Sequence, residues 1–237
     1  MTPSIPPPKV LLFDVNETLL DVATLKQTIG DILLNPHAAD LWFTTMLQHA
    51  LVMTVSEQYV ALPDIGAATL QMLARNSDIA LSSEDAKEAL SIMLTLPPHA
   101  DVKSALARFK GTDMRMATLT NSSQAGVKAQ MEHAALDGFF ERQLSVESVG
   151  RFKPHSSVYA WAAREMGVEP NECMLIAAHG WDVAGAKWAG MQAAFIAREG
   201  QQKFPLAPAP DIDVPDLNAL ASSLCCPKPS DPGRPLA

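Results

Sequence analysis

The segment Lys9-Val-Leu-Leu-Phe-Asp-Val-Asn-Glu-Thr-Leu-Leu20 decides the fold of this 237-residue chain. Residues 9–13 form a short apolar run that follows three consecutive prolines and stops at Asp14. An uninterrupted apolar run of this length is typical of a strand that is buried on both faces. Because such strands usually belong to parallel sheets, the segment predicts an α/β protein with a carboxylate at the end of its first strand.

The remaining sequence predicts a long helical stretch and then a regular alternation of strands and helices. Apolar residues at three- and four-residue spacing predict helices at 22–32, 38–53, 56–75 and 83–94. The later predicted elements are helix 102–109, strand 115–120, helix 124–133, strand 143–146, helix 157–166, strand 173–178, helix 183–189 and a last strand at 192–196. This alternation predicts a doubly wound parallel sheet with right-handed crossovers.

The predicted organisation is a Rossmann-like α/β core of residues 1–19 and 98–204, interrupted after its first strand by a helical cap of residues 20–97. Ligands of open parallel sheets bind at the carboxyl ends of the strands, so we expect the cap to cover a site there. The tail, residues 205–237, is rich in proline, and we expect it to wrap or fray and to add no domain.

Composition excludes several classes of protein. The chain has 18 basic and 26 acidic residues, a formal net charge of −8 and no long run of one sign, whereas a nucleic-acid surface needs clustered Lys and Arg. No stretch reaches the roughly 18 apolar residues of a spanning helix, and the first residues lack the apolar core of a signal peptide. The three cysteines form neither a disulfide framework nor a zinc spacing. We therefore expect a cytoplasmic protein without nucleic-acid or membrane partners.

Polar residues follow the predicted strands at the points where those strands end. They are Asp14 with Thr18, Thr120 with Asn121, Lys153, and His179 to Asp182. The topology brings these positions to one mouth of the sheet. A carboxylate, a lysine and a second carboxylate there can act as a nucleophile, its electrostatic partner and a helper.

Four short motifs follow one another across residues 9–200. They are Phe13-Asp-Val-Asn-Glu-Thr-Leu-Leu20, Leu119-Thr-Asn121, Lys153-Pro154 and Trp181-Asp-Val-Ala-Gly-Ala-Lys187. In order and spacing these motifs resemble the haloacid dehalogenase superfamily. The resemblance implies that Asp14 attacks the substrate and forms a covalent ester or acyl-phosphate, which water then opens. It also implies that Thr18, Thr120 and Asn121 orient the carboxylate and bind oxygens of the ligand.

Two departures from the phosphatases of this superfamily point away from phosphate chemistry. Those enzymes carry a second Asp two residues after the nucleophile as a general acid, where this chain has Asn16, and an amide cannot deliver that proton. Their additional acid in the fourth motif, which helps to hold Mg²⁺, falls on Ala177. We therefore expect no bound metal and no cofactor.

The stretch from Lys153 to Tyr159 and the Trp181-Asp182 pair are similar to the L-2-haloacid dehalogenase branch. This similarity implies that Lys153 holds Asp14 ionised and that Tyr159 faces the substrate. It further implies that Trp181 lines an apolar site and that Asp182 orients Lys153 and the hydrolytic water.

The chain departs from that branch at two positions. The usual Arg that clamps the substrate carboxylate and assists the departing halide follows a Leu-Trp pair in the cap, but here Phe43 follows Leu41-Trp42. His179 stands where the branch usually has Asn. An imidazole there could activate the water that opens the ester, donate to a small leaving anion, or equally be a packed surface histidine.

These observations favour a metal-independent hydrolase that takes a small 2-halocarboxylic acid as substrate, forms an ester on Asp14 and releases halide. One alternative is a related hydrolase of a phosphate ester or another small substrate, because Phe43 and His179 depart from the branch. Another is an inactive binding protein, although both Asp14 and Lys153 are present. Relatives often form dimers through the cap, so a homodimer is also expected.

Overall fold

The computed structural model describes residues 7–225 and contains one six-stranded parallel sheet in the order β3-β2-β1-β4-β5-β6. The strands are β1 (Val10–Phe13), β2 (Arg115–Thr120), β3 (Arg142–Ser145), β4 (Cys173–Ala177), β5 (Gln192–Ile196) and β6 (Ile212–Val214). The predicted doubly wound parallel sheet is confirmed.

Strand β1 lies at the centre of the sheet, and all four of its residues are fully buried. Phe13 pairs with Thr118 of β2 on one side and with Ile176 of β4 on the other. Strand order reverses between β1 and β4, which opens a crevice at the carboxyl ends of these strands. Asp14 lies in that crevice, and its backbone N–H donates to Ile176 O at 3.0 Å.

Four helices and a short 3₁₀ helix lie between β1 and β2. They are α1 (Ala23–Ile32), α2 (Ala38–Val55), α3 (Leu62–Asn76), α4 (Ser83–Leu90) and the 3₁₀ helix Ser91–Thr95. Each α-helix packs against the next along the chain. The third helix begins six residues later than predicted, because Glu57 has a φ of 57° and Pro63 stands in the first turn. The division into core and cap at residues 20 and 97 stays a prediction.

The remaining helices cover both faces of the sheet. They are α5 (Val102–Lys110), α6 (Gln124–His133), α7 (Ser156–Glu165), α8 (Gly180–Trp188) and α9 (Leu217–Cys225). Helix α7 packs on α8, and α5 packs on α9. The right-handed crossovers place α5 and α6 on one face and α7 and α8 on the other, because the chain moves outward from β1 in opposite directions. Over residues 7–225 no helix is both long and apolar enough to cross a membrane.

The prediction that residues 192–196 form the last strand is wrong. Strand β6 pairs with β5 in parallel, and α9 buries Leu217 and Leu220. The expectation that the tail only wraps or frays is therefore also wrong for its described part. A three-residue strand in a proline-rich segment has no periodicity to detect, since it forms only by pairing with β5. The predicted tail beyond residue 225 lies outside the described residues.

Replacing Gly185 tests the packing of α8 on α7. A Cβ at Gly185 would lie 2.5 Å from Pro154 Cβ and 2.6 Å from Tyr159 Oη. We expect Gly185→Ala to lower the free energy of unfolding by about 1–3 kcal/mol, because overpacking displaces these neighbours. Gly138→Ala is the control, since a Cβ there meets nothing within 4 Å. Urea denaturation measures both variants, and equal stability of the two would contradict the described packing.

Candidate active site

A cavity of about 490 Å³ opens above the carboxyl ends of β1, β2 and β4 and is roofed by α1 and α2. Most of the predicted site residues line it: Asp14, Asn16, Phe43, Thr120, Asn121, His179 and Trp181. The other four, Thr18, Lys153, Tyr159 and Asp182, are fully or almost fully buried and do not line the cavity. The structure thus brings all eleven residues together, seven on the cavity wall and four buried beneath it. Asp14 belongs to the wall and also contacts the buried group.

A buried chain of charges lies directly beneath the cavity. The Lys153 ammonium donates to Asp14 Oδ1 at 2.8 Å, to Asp182 Oδ2 at 2.6 Å and to Leu119 O at 2.8 Å. Burial raises the pKa of Asp14, but Lys153 and then His179 lower that pKa well below its usual range. Burial lowers the pKa of Lys153, and the two carboxylates more than reverse this effect. Asp14 is therefore an ionised carboxylate at neutral pH.

Tyr159 supports Asp182 and does not reach the cavity, so the prediction that Tyr159 faces the substrate is wrong. Its hydroxyl donates to Asp182 Oδ1 at 2.6 Å. Helix α7 directs Tyr159 toward α8, where Gly185 leaves room for the ring. Burial raises the pKa of Tyr159 well above its ordinary value, which keeps the phenol protonated as a donor. Asp182 holds Lys153 but does not border the cavity either.

Two other polar residues fix the nucleophile and the lysine. Thr18 donates to Asp14 Oδ2 at 2.8 Å and accepts from the backbone N–H of Ala178 at 2.9 Å. Asn121 Oδ1 accepts from the backbone N–H of Lys153 at 2.9 Å. Thr18 thus links the ends of β1 and β4, and Asn121 links the end of β2 to the loop that carries Lys153. Thr120 lines the cavity beside them.

His179 is held between two carboxylates and two aromatic rings. Its Nδ1 lies 3.2 Å from Asp14 Oδ2, and its Nε2 lies 2.9 Å from Glu17 Oε2. The imidazole is stacked on Phe43 and Trp181, with ring centroids 5.5 and 5.2 Å apart. Burial lowers the pKa of His179, but hydrogen bonds to Asp14 and Glu17 raise it to about 9. His179 is therefore a buried imidazolium at neutral pH and not a surface histidine.

Glu17 is the site residue that sequence reasoning missed. Burial raises its pKa, but hydrogen bonds from His179 and Lys26 lower that pKa to about 2. The Lys26 ammonium lies 2.8 Å from Glu17 Oε1. Glu17 also has a φ of 66°, a left-handed conformation that is costly for a residue other than glycine and is fixed by its surroundings. The sequence did contain one signal for Glu17, because it is an acidic residue inside the first motif, three positions after Asp14.

The amide nitrogen of Asn16, and not its amide oxygen, is available to a ligand in the cavity. Gln130 Nε2 donates to Met93 O at 2.9 Å and to Asn16 Oδ1 at 2.9 Å. Because Met93 O is a carbonyl, the bridging Gln130 atom must be the nitrogen, and its other partner must be the Asn16 oxygen. Asn16 Nδ2 makes only a long bond of 3.3 Å, to Ser122 Oγ. Asn16 is therefore a hydrogen-bond donor on the cavity wall.

The donor set at Asp14 does not fit a divalent cation. Asp14 and Asp182 are bridged by the Lys153 ammonium, and His179 donates to both Asp14 and Glu17 as an imidazolium. Mg²⁺ needs several oxygen ligands in an octahedral arrangement, whereas these oxygens already face cations. Residues 7–225 contain no group of three or more His, Cys, Asp or Glu side chains that could hold a metal ion. A metal-free reaction stays a prediction.

A histidine titration tests the charge state of the site. By NMR, His179 should titrate near pH 9, and Glu17→Gln should lower that midpoint because one of the two carboxylates is lost. The pKa of His179 in the folded protein lies above the value of about 6.5 in the unfolded chain. The stabilisation that protonated His179 gives to the fold is therefore complete below about pH 6.5. This contribution is lost as the pH rises through about 9. His99, whose pKa burial lowers, is the internal reference. A His179 midpoint at or below 6.5 would contradict the geometry.

This chain is similar to several known dehalogenases. Haloacetate dehalogenase H-2 of Moraxella sp. (strain B) is 27% identical over 217 residues, covering 90% of this chain and 96% of the relative. (S)-2-haloacid dehalogenase of Pseudomonas sp. (strain YL) is 25% identical over 214 residues, covering 90% and 92%. A solved structure, L-2-haloacid dehalogenase from Xanthobacter autotrophicus with chloropropionic acid covalently bound, is 22% identical and covers 91% and 97%, with a TM-score of 0.82. A family model matches residues 8–190, and this chain therefore belongs to the haloacid dehalogenase-like hydrolases.

Proposed function

We propose that this hydrolase removes halogen from 2-halocarboxylic acids through a covalent ester on Asp14. The observation that carries the proposal is the Asp14 carboxylate on the cavity wall, ionised by a buried lysine and flanked by the His179–Glu17 pair. The names of the relatives support the reaction class, and the relative from Xanthobacter carries chloropropionic acid covalently bound.

The first step is displacement at the carbon that bears the halogen. A carboxylate oxygen of Asp14 forms the new carbon–oxygen bond while the carbon–halogen bond breaks, and the halide leaves with the bonding electron pair. No proton has to be delivered to the leaving group. Lys153 keeps Asp14 ionised, and Thr18 fixes the carboxylate plane. Asp14 is buried, so little bulk water reaches the nucleophile.

The second step is hydrolysis of the ester, for which we assign His179 as the base. Ester formation removes the charge of Asp14, one of the two carboxylates that hold the imidazolium. His179 then releases a proton to solvent and, still bonded to Glu17, takes a proton from the water that attacks Asp14 Cγ. It returns that proton to the departing alkoxide as the Cγ–O bond breaks. The regenerated Asp14 carboxyl group reprotonates His179, which restores the resting state. A nucleophile, base and acid arranged in this way follow the logic of catalytic triads.

Substrate binding proceeds without the usual arginine. Phe43 occupies its sequence position and packs on His179, so it shapes the site but binds no anion. The Asn16 amide is a donor for the halide or the carboxylate, with Thr120 and Asn121 beside it on the cavity wall. Asn16 would also be unable to act as the acid of a phosphatase, which leaves hydrolysis of a phosphate ester unsupported.

We further propose that the protein acts in the cytoplasm and forms a homodimer. The number and spacing of the cysteines support a reducing compartment. Helix α2 supports the dimer, since Leu41, Val52 and Val55 are exposed along one side of it, where a second copy could cover them.

Halide release under chelation tests the proposed reaction. We expect chloride or bromide release from L-2-chloropropionate and bromoacetate in the presence of EDTA, because no step needs a metal. Asp14→Asn should lower the rate at least about a thousandfold, since a neutral amide cannot displace the halide. Ion chromatography measures the product. Activity that requires Mg²⁺, or that survives in Asp14→Asn, would contradict the proposal.

His179→Gln separates the two steps. We expect this variant to release about one equivalent of halide per protein in a rapid burst and then to turn over at least about a hundredfold more slowly, since it lacks the base. Intact-protein mass spectrometry should find the trapped ester on Asp14. Glu17→Gln should give a weaker burst of the same kind, because His179 remains but is less basic. Unchanged steady-state turnover, or a folded His179→Gln protein without a burst, would contradict the role of His179.

A further inference from the structure

The cavity is larger than the smallest haloacids require. Its volume is about 490 Å³, within the roughly 300–1,000 Å³ of pockets that enclose drug-sized ligands. Haloacetate has only five non-hydrogen atoms. At about 30 Å³ per water, a bound haloacetate would leave space for on the order of ten water molecules.

Much of the cavity lining is apolar. Its large apolar side chains include Leu25, Ile29, Trp42, Met46, Leu47 and Leu62. The charged lining residues form one connected chain: His179 bridges Asp14 and Glu17, and Lys26 is paired with Glu17 at 2.8 Å and with Asp40 at 3.6 Å. Water against such a wall loses hydrogen bonds, whereas a hydrocarbon chain there gains from leaving water.

The apolar wall is held in place by its own packing. Trp42 is almost fully buried, and its indole N–H donates to Gly66 O at 2.9 Å. A Cβ on Gly66 would lie 3.3 Å from both Trp42 and Met46, so α2 and α3 are in close contact at this point. The wall is therefore formed before a ligand enters, and little of the binding free energy is spent on ordering it.

From the size of the cavity and its apolar lining we infer that the preferred substrates are 2-halocarboxylic acids that carry an apolar chain of several carbons on the reacting carbon, and not haloacetate or 2-halopropionate. The carboxylate and halogen would occupy the polar region beside Asp14 and Asn16, and the chain would lie along Ile29, Trp42 and Met46. The inference deepens the proposed function and rests on it.

A chain-length series tests the inference. The substrates are L-2-bromopropionate, -butanoate, -hexanoate and -octanoate, with bromoacetate as the shortest member. Burying one methylene gives a factor of up to about four, so kcat/KM should rise by up to about fourfold per carbon up to hexanoate. A value of kcat/KM that is flat or falls beyond propionate would overturn the inference.

A pair of matched variants of α2 locates the chain. Leu47 lines the cavity, whereas Leu51, one turn later on the same helix, is exposed and does not line it. Leu47→Trp should lower kcat/KM for 2-bromohexanoate at least about tenfold more than for 2-bromopropionate, because the larger ring fills the space of the chain. Leu51→Trp should leave the ratio between the two substrates unchanged. An equal effect of Leu47→Trp on both substrates would overturn the inference.

Binding without turnover distinguishes failure of the inference from failure of the proposed reaction. L-2-hydroxypropionate, -hexanoate and -octanoate are the probes, and quenching of Trp fluorescence is the readout, since Trp42 and Trp181 line the cavity. Tighter binding of the longer hydroxy acids supports the assignment of the apolar wall, even if no bromoacid releases bromide and the proposed reaction is wrong. Equal binding of the three acids overturns the assignment, whether or not bromide is released.

Discussion

The rest of the site depends on the Lys153 ammonium, which is buried between the carboxylates of Asp14 and Asp182. A buried charge of this kind is tolerated only when it is paired and all of its protons are bonded, and removing one partner typically costs about 3–5 kcal/mol. Lys153 meets this condition with three acceptors that come from the β1 end, the β2 end and α8. The charge state of Asp14 therefore depends on the sheet topology, because this strand order brings the three acceptors to the Lys153 ammonium.

The second group of charges in the site consists of two carboxylates, Asp14 and Glu17, with the His179 imidazolium between them. Asp14 and Glu17 approach the same imidazole from opposite nitrogens, and this shared cation adds to the effect of Lys153 on Asp14 and of Lys26 on Glu17. Neutralising Asp14, as an ester does, changes the proton affinity of His179 without any movement of the backbone. The aromatic rings of Phe43 and Trp181 stack on the imidazole and help to hold its plane. Phe43, at the position of the usual arginine, thus packs against the imidazole.

Much of the fold could be predicted because local patterns and tertiary structure agree there. The β1 run is apolar throughout and lies buried in the centre of the sheet, and β2 and β5 have the bounds that periodicity predicted. Prediction failed where structure forms only through contact: β6 is a strand because β5 offers it an edge, and Tyr159 turns from the cavity because Gly185 leaves it space beside Asp182. Neither cause is visible in the local sequence.

The sequence by itself predicted that Asp14, Lys153 and Asp182 would come together, because residues that follow parallel strands meet at one edge of the sheet. It also determined that Asn16 and Ala177 stand where a phosphatase has acids. Only the tertiary structure decided which groups touch. It paired His179 with Glu17 across 162 positions of the chain and oriented the Asn16 amide through Gln130. These are distances between side chains of different elements, and packing sets them, not periodicity.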